Sequence, residues 1–378
     1  MSSNGVFMWA AVASSLVVAA FLASAVLCLL VRYLAPKMNF VDRPGGHKGH
    51  RQPTPLGGGV AIWLTTVGIL AIGILIVRGW GAAGLPEPFA RHANGVILRS
   101  RSLWLILGLS TAIMFMGLLD DWKTLDWRLR LGIQLFCAVT LAAGGVRVTL
   151  FGPFTHPLLG GAVTVLWVVG LTNSFNMLDN MDGLAASVGL IVAVLFCGAE
   201  LAVSSLFAPA VMLVVVGALA GFLVHNHFPA RLFMGDAGSN FLGFLLGAMT
   251  VAGTFTRDDP GKAYSPYGVL APLLVMAVPL YDMTSVILIR LSEGRSPFLG
   301  DRRHFSHRLV ARGLTPRQAV WTIDLVTLAG GAGALLLHRL DGPGACVVAA
   351  QTLSLLGVVA ILELAANRTE EGNGPTQR

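Results

Sequence analysis

The chain is 378 residues long, with 55% hydrophobic and only 12% charged residues and a net charge of +7. Soluble domains carry about a quarter charged residues, so a water-soluble globular protein is excluded, and the apolar residues fall in runs long enough to cross a bilayer. The positive charge lies in loops beside those runs, where it sets orientation, and nothing in it suggests nucleic acid.

Eleven apolar stretches follow in chain order: about 6–31, 56–77, 103–119, 131–145, 158–175, 184–202, 207–225, 240–256, 267–290, 320–338 and 345–366. They predict an all-α, polytopic helical bundle of 10 to 11 transmembrane helices, one domain over 1–366 with a short disordered tail at 367–378. The first stretch, Val6–Val31, has no basic residue before it and no persuasive small-residue cleavage site, so it reads as an anchor rather than a removed leader. With Met1 outside, Lys and Arg divide 18 to 8 in favour of the inside loops, which puts the tail in the cytoplasm. Cys28, Cys137, Cys197 and Cys346 all fall inside apolar stretches without CxxC or Cys/His spacing, so neither a zinc site nor a disulfide framework is indicated.

On this topology the polar clusters of the chain share one side. Only 19 residues are Asp or Glu, and carboxylates beside a bilayer are costly unless they pair or hold a metal. Asp120 and Asp121 end the third stretch in MFMGLLDDWKTLDWRLR, next to Lys123, Arg128 and Arg130. Acid beside base at a helix end suits a metal-bridged phosphate, and a polar helix stop is the plainer reading. NSFNMLDNMDG then spaces Asn173, Asn176, Asp179 and Asp182 three apart, on one face of any helical turn. A cap for the helix starting at Leu184 would need only one of them.

In NHFPARLFMGDAGSN, Gly235 and Gly238 flank Asp236 just before a new helix. There the backbone can approach a ligand closely and the helix N-terminus favours an anion. SPFLGDRRHFSHR is the most basic stretch, and its Arg302, His304 and His307 could clamp a diphosphate or simply set topology. Inside the apolar stretches, Asp282 in VPLYDMTSV and Asp324 in WTIDLVT could relay protons. Asp282, at ~1.5 Å per residue roughly 13 Å deep, suits a buried partner to a polar group of the site equally well.

Taken in order, DDWKTLDWRLR, NSFNMLDNMDG, FPARLFMGDAGSNFLG and SPFLGDRRHFSH, with VDRPGGHKGHRQPTPLGGG before them, resemble the polyprenyl-phosphate N-acetylhexosamine-1-phosphate transferases of the MraY/WecA type. The last loop is most similar to the bacterial WecA-like branch. The resemblance implies transfer of an N-acetylhexosamine 1-phosphate, GlcNAc-1-phosphate first, from a UDP-sugar to undecaprenyl phosphate at the cytoplasmic face of the bacterial inner membrane. UMP would leave, and the product would open a cell-envelope polysaccharide. It further implies Mg²⁺, with Mn²⁺ as a substitute, and Asp120 and Asp121 as a catalytic pair. Asn176 and Asp236 would lie at the metal, and Asp179 and Asp182 in the nucleotide site. Lys48, Arg130, Arg302, His304 and His307 would hold phosphates and sugar. A homodimer is compatible with it.

One residue departs from the pattern: Ser306 stands where related loops often carry a third histidine. Three rival readings fit less well. A phospho-MurNAc-pentapeptide transferase carries a different His-rich loop. A secondary transporter would place its ligand near the bilayer midplane. A transferase using CDP-alcohols would show a DGxxAR-type motif.

Overall fold

The computed structural model describes residues 3–43, 53–85, 87–149, 156–253, 255, 265–296 and 303–372. The helices are α1 (Ser3–Leu34), α2 (Gly58–Gly84), α3 (Glu87–Lys123), α4 (Trp127–Ala143), α5 (Pro157–Leu178), α6 (Leu184–Ala202) and α7 (Phe207–Asn226). After these come α8 (Gly235–Ala252), α9 (Ala271–Val275), α10 (Ala277–Ser292), α11 (Phe305–Ala311), α12 (Pro316–Ala332) and α13 (Gly342–Gly372). Each of the eleven apolar stretches lies on helix, and the protein is an all-α, multi-pass membrane protein.

Among the described residues, eight helices are long and apolar enough to cross a membrane, and the segment around α9 and α10 passes the same test only as a pair bent by 58°. The other two stretches expected to cross fall on α4 and α8. Helix α4 is 17 residues long and carries Arg128, Arg130 and Gln134. Helix α8 opens on Gly-Asp-Ala-Gly-Ser-Asn. Helix α8 is enclosed by its neighbours, whereas α4 exposes Leu129, Phe136 and Val139. Helix α3 starts at Glu87, not near residue 103, so the stretch expected as an outside loop is mostly helix. At the other end, α13 runs to Gly372, into the stretch expected as a disordered tail.

Helix α8 is the hub, packing against α2, α3, α5 and α6. Every residue from Ala237 to Thr250 is buried. Such enclosure requires close backbone approach, which small residues permit. A Cβ placed on Gly59 of α2 would sit 2.1 Å from the Gly238 nitrogen, and one on Gly117 of α3 would sit 2.2 Å from the Asp236 carbonyl oxygen. These two contacts bring α2 and α3 onto the first turn of α8.

Two short strands, β1 (Val41–Asp42) and β2 (Thr54–Pro55), pair antiparallel. Just past β2 the backbone joins the segment leading into α8: Phe233 N–H donates to Pro55 O, Gly58 N–H to Phe233 O and Gly59 N–H to Met234 O, each at 2.9 Å. Lys48, expected to bind phosphate, lies outside the described residues.

Candidate active site

The ends of α3, α5 and α8 meet at one end of the bundle and bring four carboxylates together. Asp120 is buried: its Oδ1 accepts the Leu125 N–H at 2.6 Å and its Oδ2 accepts Arg130 Nη1 at 2.7 Å. The same Nη1 lies 4.0 Å from Asp236 Oδ2. Asp121 instead closes the start of α8, its two oxygens accepting the Asp236 N–H at 2.8 Å and the Ala237 N–H at 3.0 Å. The anion favoured by this helix N-terminus is therefore a side chain of the protein itself.

This also corrects the reading of the glycines. Gly235, at φ 73°, would drive a Cβ to within 2.6 Å of the Asp121 carboxylate, and Gly238 is closed against α2. Both serve protein-to-protein approach, not approach to a ligand.

The Asn/Asp stripe is likewise not one continuous helix face. Helix α5 ends at Leu178 with Asp179 as its C-cap, and Gly183, at φ 79°, is the N-cap of α6 without a side-chain cap. Asn173 and Asn176 are thus helical, whereas Asp179 and Asp182 sit on the turn between. Asn176 Nδ2 donates to Asp236 Oδ1 at 2.7 Å and to Ser239 Oγ at 3.2 Å. Asp182 Oδ2 accepts the Ala230 N–H at 2.9 Å and so pins the loop before α8. Asp179 accepts no hydrogen bond among the described residues.

Crowding shows in the electrostatics. Asp179 is pushed well above the usual carboxylate range, by desolvation first and then by the charges of Asp236, Asp121 and Asp182. Asp236 is pushed up to about 6, again by desolvation first and then by Asp120, with Asn176 and Arg130 pulling the other way. A raised folded-state value means that the folded protein holds protons the unfolded chain has lost, so stability falls as pH rises from the unfolded value of 3.8 through the folded one. The unfolding midpoint in metal-free detergent solution should therefore drop as pH rises from about 4 through about 6. A flat or rising midpoint would contradict the crowding.

The basic arm is held from two sides. Asp282, fully buried on α10, accepts His304 Nδ1 at 3.0 Å and the Phe305 N–H at 2.6 Å. Ser306 Oγ donates to Asn180 Oδ1, next to Asp179. The His307 ring centroid is 6.5 Å from that of His304. Arg302 lies outside the described residues. Asp324 is held by Ser187 Oγ at 2.7 Å, on the α6 side of α12. Among the described residues no three His, Cys, Asp or Glu converge as a ready-made metal cage.

A family model described as glycosyl transferase family 4 matches residues 103–254, the span from mid-α3 to just past α8 that carries all four carboxylates. A probable undecaprenyl-phosphate N-acetylglucosaminyl 1-phosphate transferase of Bacillus subtilis is 30% identical over 331 residues, covering 85% of this chain and 85% of the relative. The chain belongs to the polyprenyl-phosphate N-acetylhexosamine-1-phosphate transferase family. Similar relatives include the decaprenyl-phosphate N-acetylglucosaminephosphotransferase of Mycobacterium tuberculosis, 32% identical over 348 residues, 84% of this chain and 82% of the relative. Another is the undecaprenyl-phosphate alpha-N-acetylglucosaminyl 1-phosphate transferase of Escherichia coli, 29% identical over 321 residues, 81% of this chain and 78% of the relative.

Three supports of the transferase site were not selected from sequence. Gln134 of α4 accepts Asn173 Nδ2 at 2.7 Å and donates to Asn240 Oδ1 at 3.2 Å, and Asn240 Nδ2 donates to the Asp236 carbonyl at 2.8 Å. Asn226 bridges the Gly183 N–H and the Leu232 carbonyl. A lone amide inside an apolar stretch was the available signal for Gln134; Asn226 stood in a cluster already noted.

Proposed function

We propose that the protein transfers N-acetylglucosamine 1-phosphate from UDP-N-acetylglucosamine to a polyprenyl phosphate, releasing UMP. The observation that carries this reading is the convergence of Asp120, Asp121, Asp179 and Asp236 with Arg130 at one end of the bundle, in a chain of this family. An oxygen of the lipid phosphate forms the new bond to the β-phosphorus of the donor. The bond from that phosphorus to the bridging oxygen breaks, and UMP leaves with the oxygen. The second pKa of a phosphate monoester is about 6, so the acceptor is mostly dianionic at neutral pH and needs orientation more than deprotonation.

The residues fit a hard cation of the Mg²⁺ kind, which takes one or two carboxylates and fills its remaining positions with water and substrate phosphates. Repulsion among the four acids is the observation in favour: Arg130 lies within 4.0 Å of two of them, Asp120 and Asp236. Mg²⁺ would supply charge neutralisation between the anionic donor and acceptor. Asp236, with Asn176 beside it, and Asp121 are placed to hold it. Asp120 fixes Arg130 toward the phosphates. Asp179, without a side-chain hydrogen bond among the described residues, is the carboxylate left to orient the acceptor or take a residual proton. His304 and His307 approach the sugar phosphate from the basic arm, and Asp182 braces the nucleotide side.

Purified protein given UDP-N-acetylglucosamine, a polyprenyl phosphate and Mg²⁺ should release UMP and form a lipid of the mass of the sugar diphosphate, and other UDP-sugars should compete poorly. UMP release without the lipid product would reject the reading. The site is assigned to the cytoplasmic side of the inner membrane, with Met1 outside. In a cysteine-free background, Lys123→Cys and Arg303→Cys should react only with reagent supplied from the cytoplasm and Arg91→Cys only from outside. Reaction of the first two from opposite sides would dismantle the single site.

A further inference from the structure

We infer that Asp282 is a positioning residue of the transferase, which holds His304 in the Nδ1–H tautomer and leaves Nε2 as the acceptor nitrogen offered to the substrate. The inference rests on the proposed function and adds a residue to its machinery. Asp282 has no exposed surface and His304 is 6% exposed, so this pair is settled by its own hydrogen bonds and not by water. One carboxylate oxygen meets Nδ1 at 3.0 Å, the other the N–H of the next residue, Phe305, at 2.6 Å. A carboxylate only accepts, so the proton between it and the ring belongs to Nδ1.

The ring is thereby fixed in rotation as well as in proton placement. Asp282 belongs to α10, the second half of the bent pair, and His304 is the N-cap residue of α11. Two residues on, Ser306 ties the same segment to Asn180, the neighbour of Asp179. The segment is thus held at His304 by a buried acid and at Ser306 by the turn that carries Asp179. A carboxylate oriented on a histidine in this way also supports the imidazolium that forms if Nε2 picks up a proton from a sugar hydroxyl or a phosphate.

Asp282→Asn keeps the volume but has one acceptor for two N–H groups. With its oxygen on the Phe305 N–H, its amide N–H₂ faces Nδ1, which must become the acceptor, and the ring proton moves to Nε2. The tautomer of His304 is read from ¹⁵N chemical shifts of histidine-labelled protein at alkaline pH, assigned by difference with His304→Gln. Wild type should show a protonated Nδ1 and Asp282→Asn a protonated Nε2. Asp282→Asn should lower kcat/KM for the donor by about tenfold or more, yet change activity less than twofold in a His304→Ala background, because its effect runs through the ring. An Nε2–H signature in wild type overturns the inference whether or not Asp282→Asn folds. So does an unchanged tautomer in Asp282→Asn, or a full loss on top of His304→Ala, which would mark Asp282 as a general structural brace. Absence of transfer by the wild-type protein would reject the proposed function while leaving the tautomer measurement standing.

Discussion

Asp236→Asn is expected to lower kcat on the order of 10²–10³-fold, the size of effect seen when one preorganised electrostatic group is removed from an active site. The substitution deletes charge without changing volume. The fold keeps its local bonds, because Asn176 can still donate to the remaining oxygen, as it now does at 2.7 Å. Stability should hold or rise slightly above pH 7, since one of four crowded acids becomes neutral and Asp236 is pushed up to about 6 by that crowding and by desolvation. Loss of turnover with an undiminished unfolding midpoint separates a catalytic loss from a folding defect. Near-normal turnover with unchanged Mg²⁺ dependence would move the metal elsewhere.

The adjacent acids should separate in behaviour. Asp121→Asn leaves one acceptor for the two N–H groups at the start of α8 and removes the charge favoured there. An unsatisfied buried donor costs about 1–3 kcal/mol and the lost helix-end charge about 0.3–1 kcal/mol more. Stability and kcat should fall together. Asp120→Asn keeps an oxygen for the Leu125 N–H but releases Arg130 from its 2.7 Å ion pair, which leaves the arginine free to move toward Asp236. Its larger effect should be on turnover and on the KM for the donor. Thermal unfolding and steady-state kinetics on both variants decide it. Equal and small effects, under about 1 kcal/mol in each, would mark the pair as no more than a polar helix stop.

Fold class was legible because apolar run length is a strong signal. The polar start of α8 was harder to read as a crossing, because a helix enclosed by protein rather than lipid can be polar. Clustering of the acids was legible from alternate loops lying on one side. Division of labour among them was not: two adjacent aspartates look alike in sequence, yet Asp120 faces an arginine ten residues on and Asp121 a helix end across the bundle. Asp282 showed the same limit. Its depth indicated a buried partner but could not choose between His304 and a relay, since that depends on how the segment after α10 folds back. Ser306, the departure from the family pattern, has a local reason: a small hydroxyl fits the buried approach to Asn180.

Enclosure of α8 has a consequence for how the protein is made. The helices against which α8 packs most extensively, α2, α3, α5 and α6, precede it in the chain. Its first turn, Gly-Asp-Ala-Gly-Ser-Asn, gains little by partitioning alone into lipid, so the helices it packs against are in place before it needs their cover. By the time Ala252 leaves the ribosome the acidic half of the active site has all its members, whereas Asp282 and His304 are still to be synthesised. Synthesis thus completes the acidic half first and adds the basic arm that carries His304 afterwards.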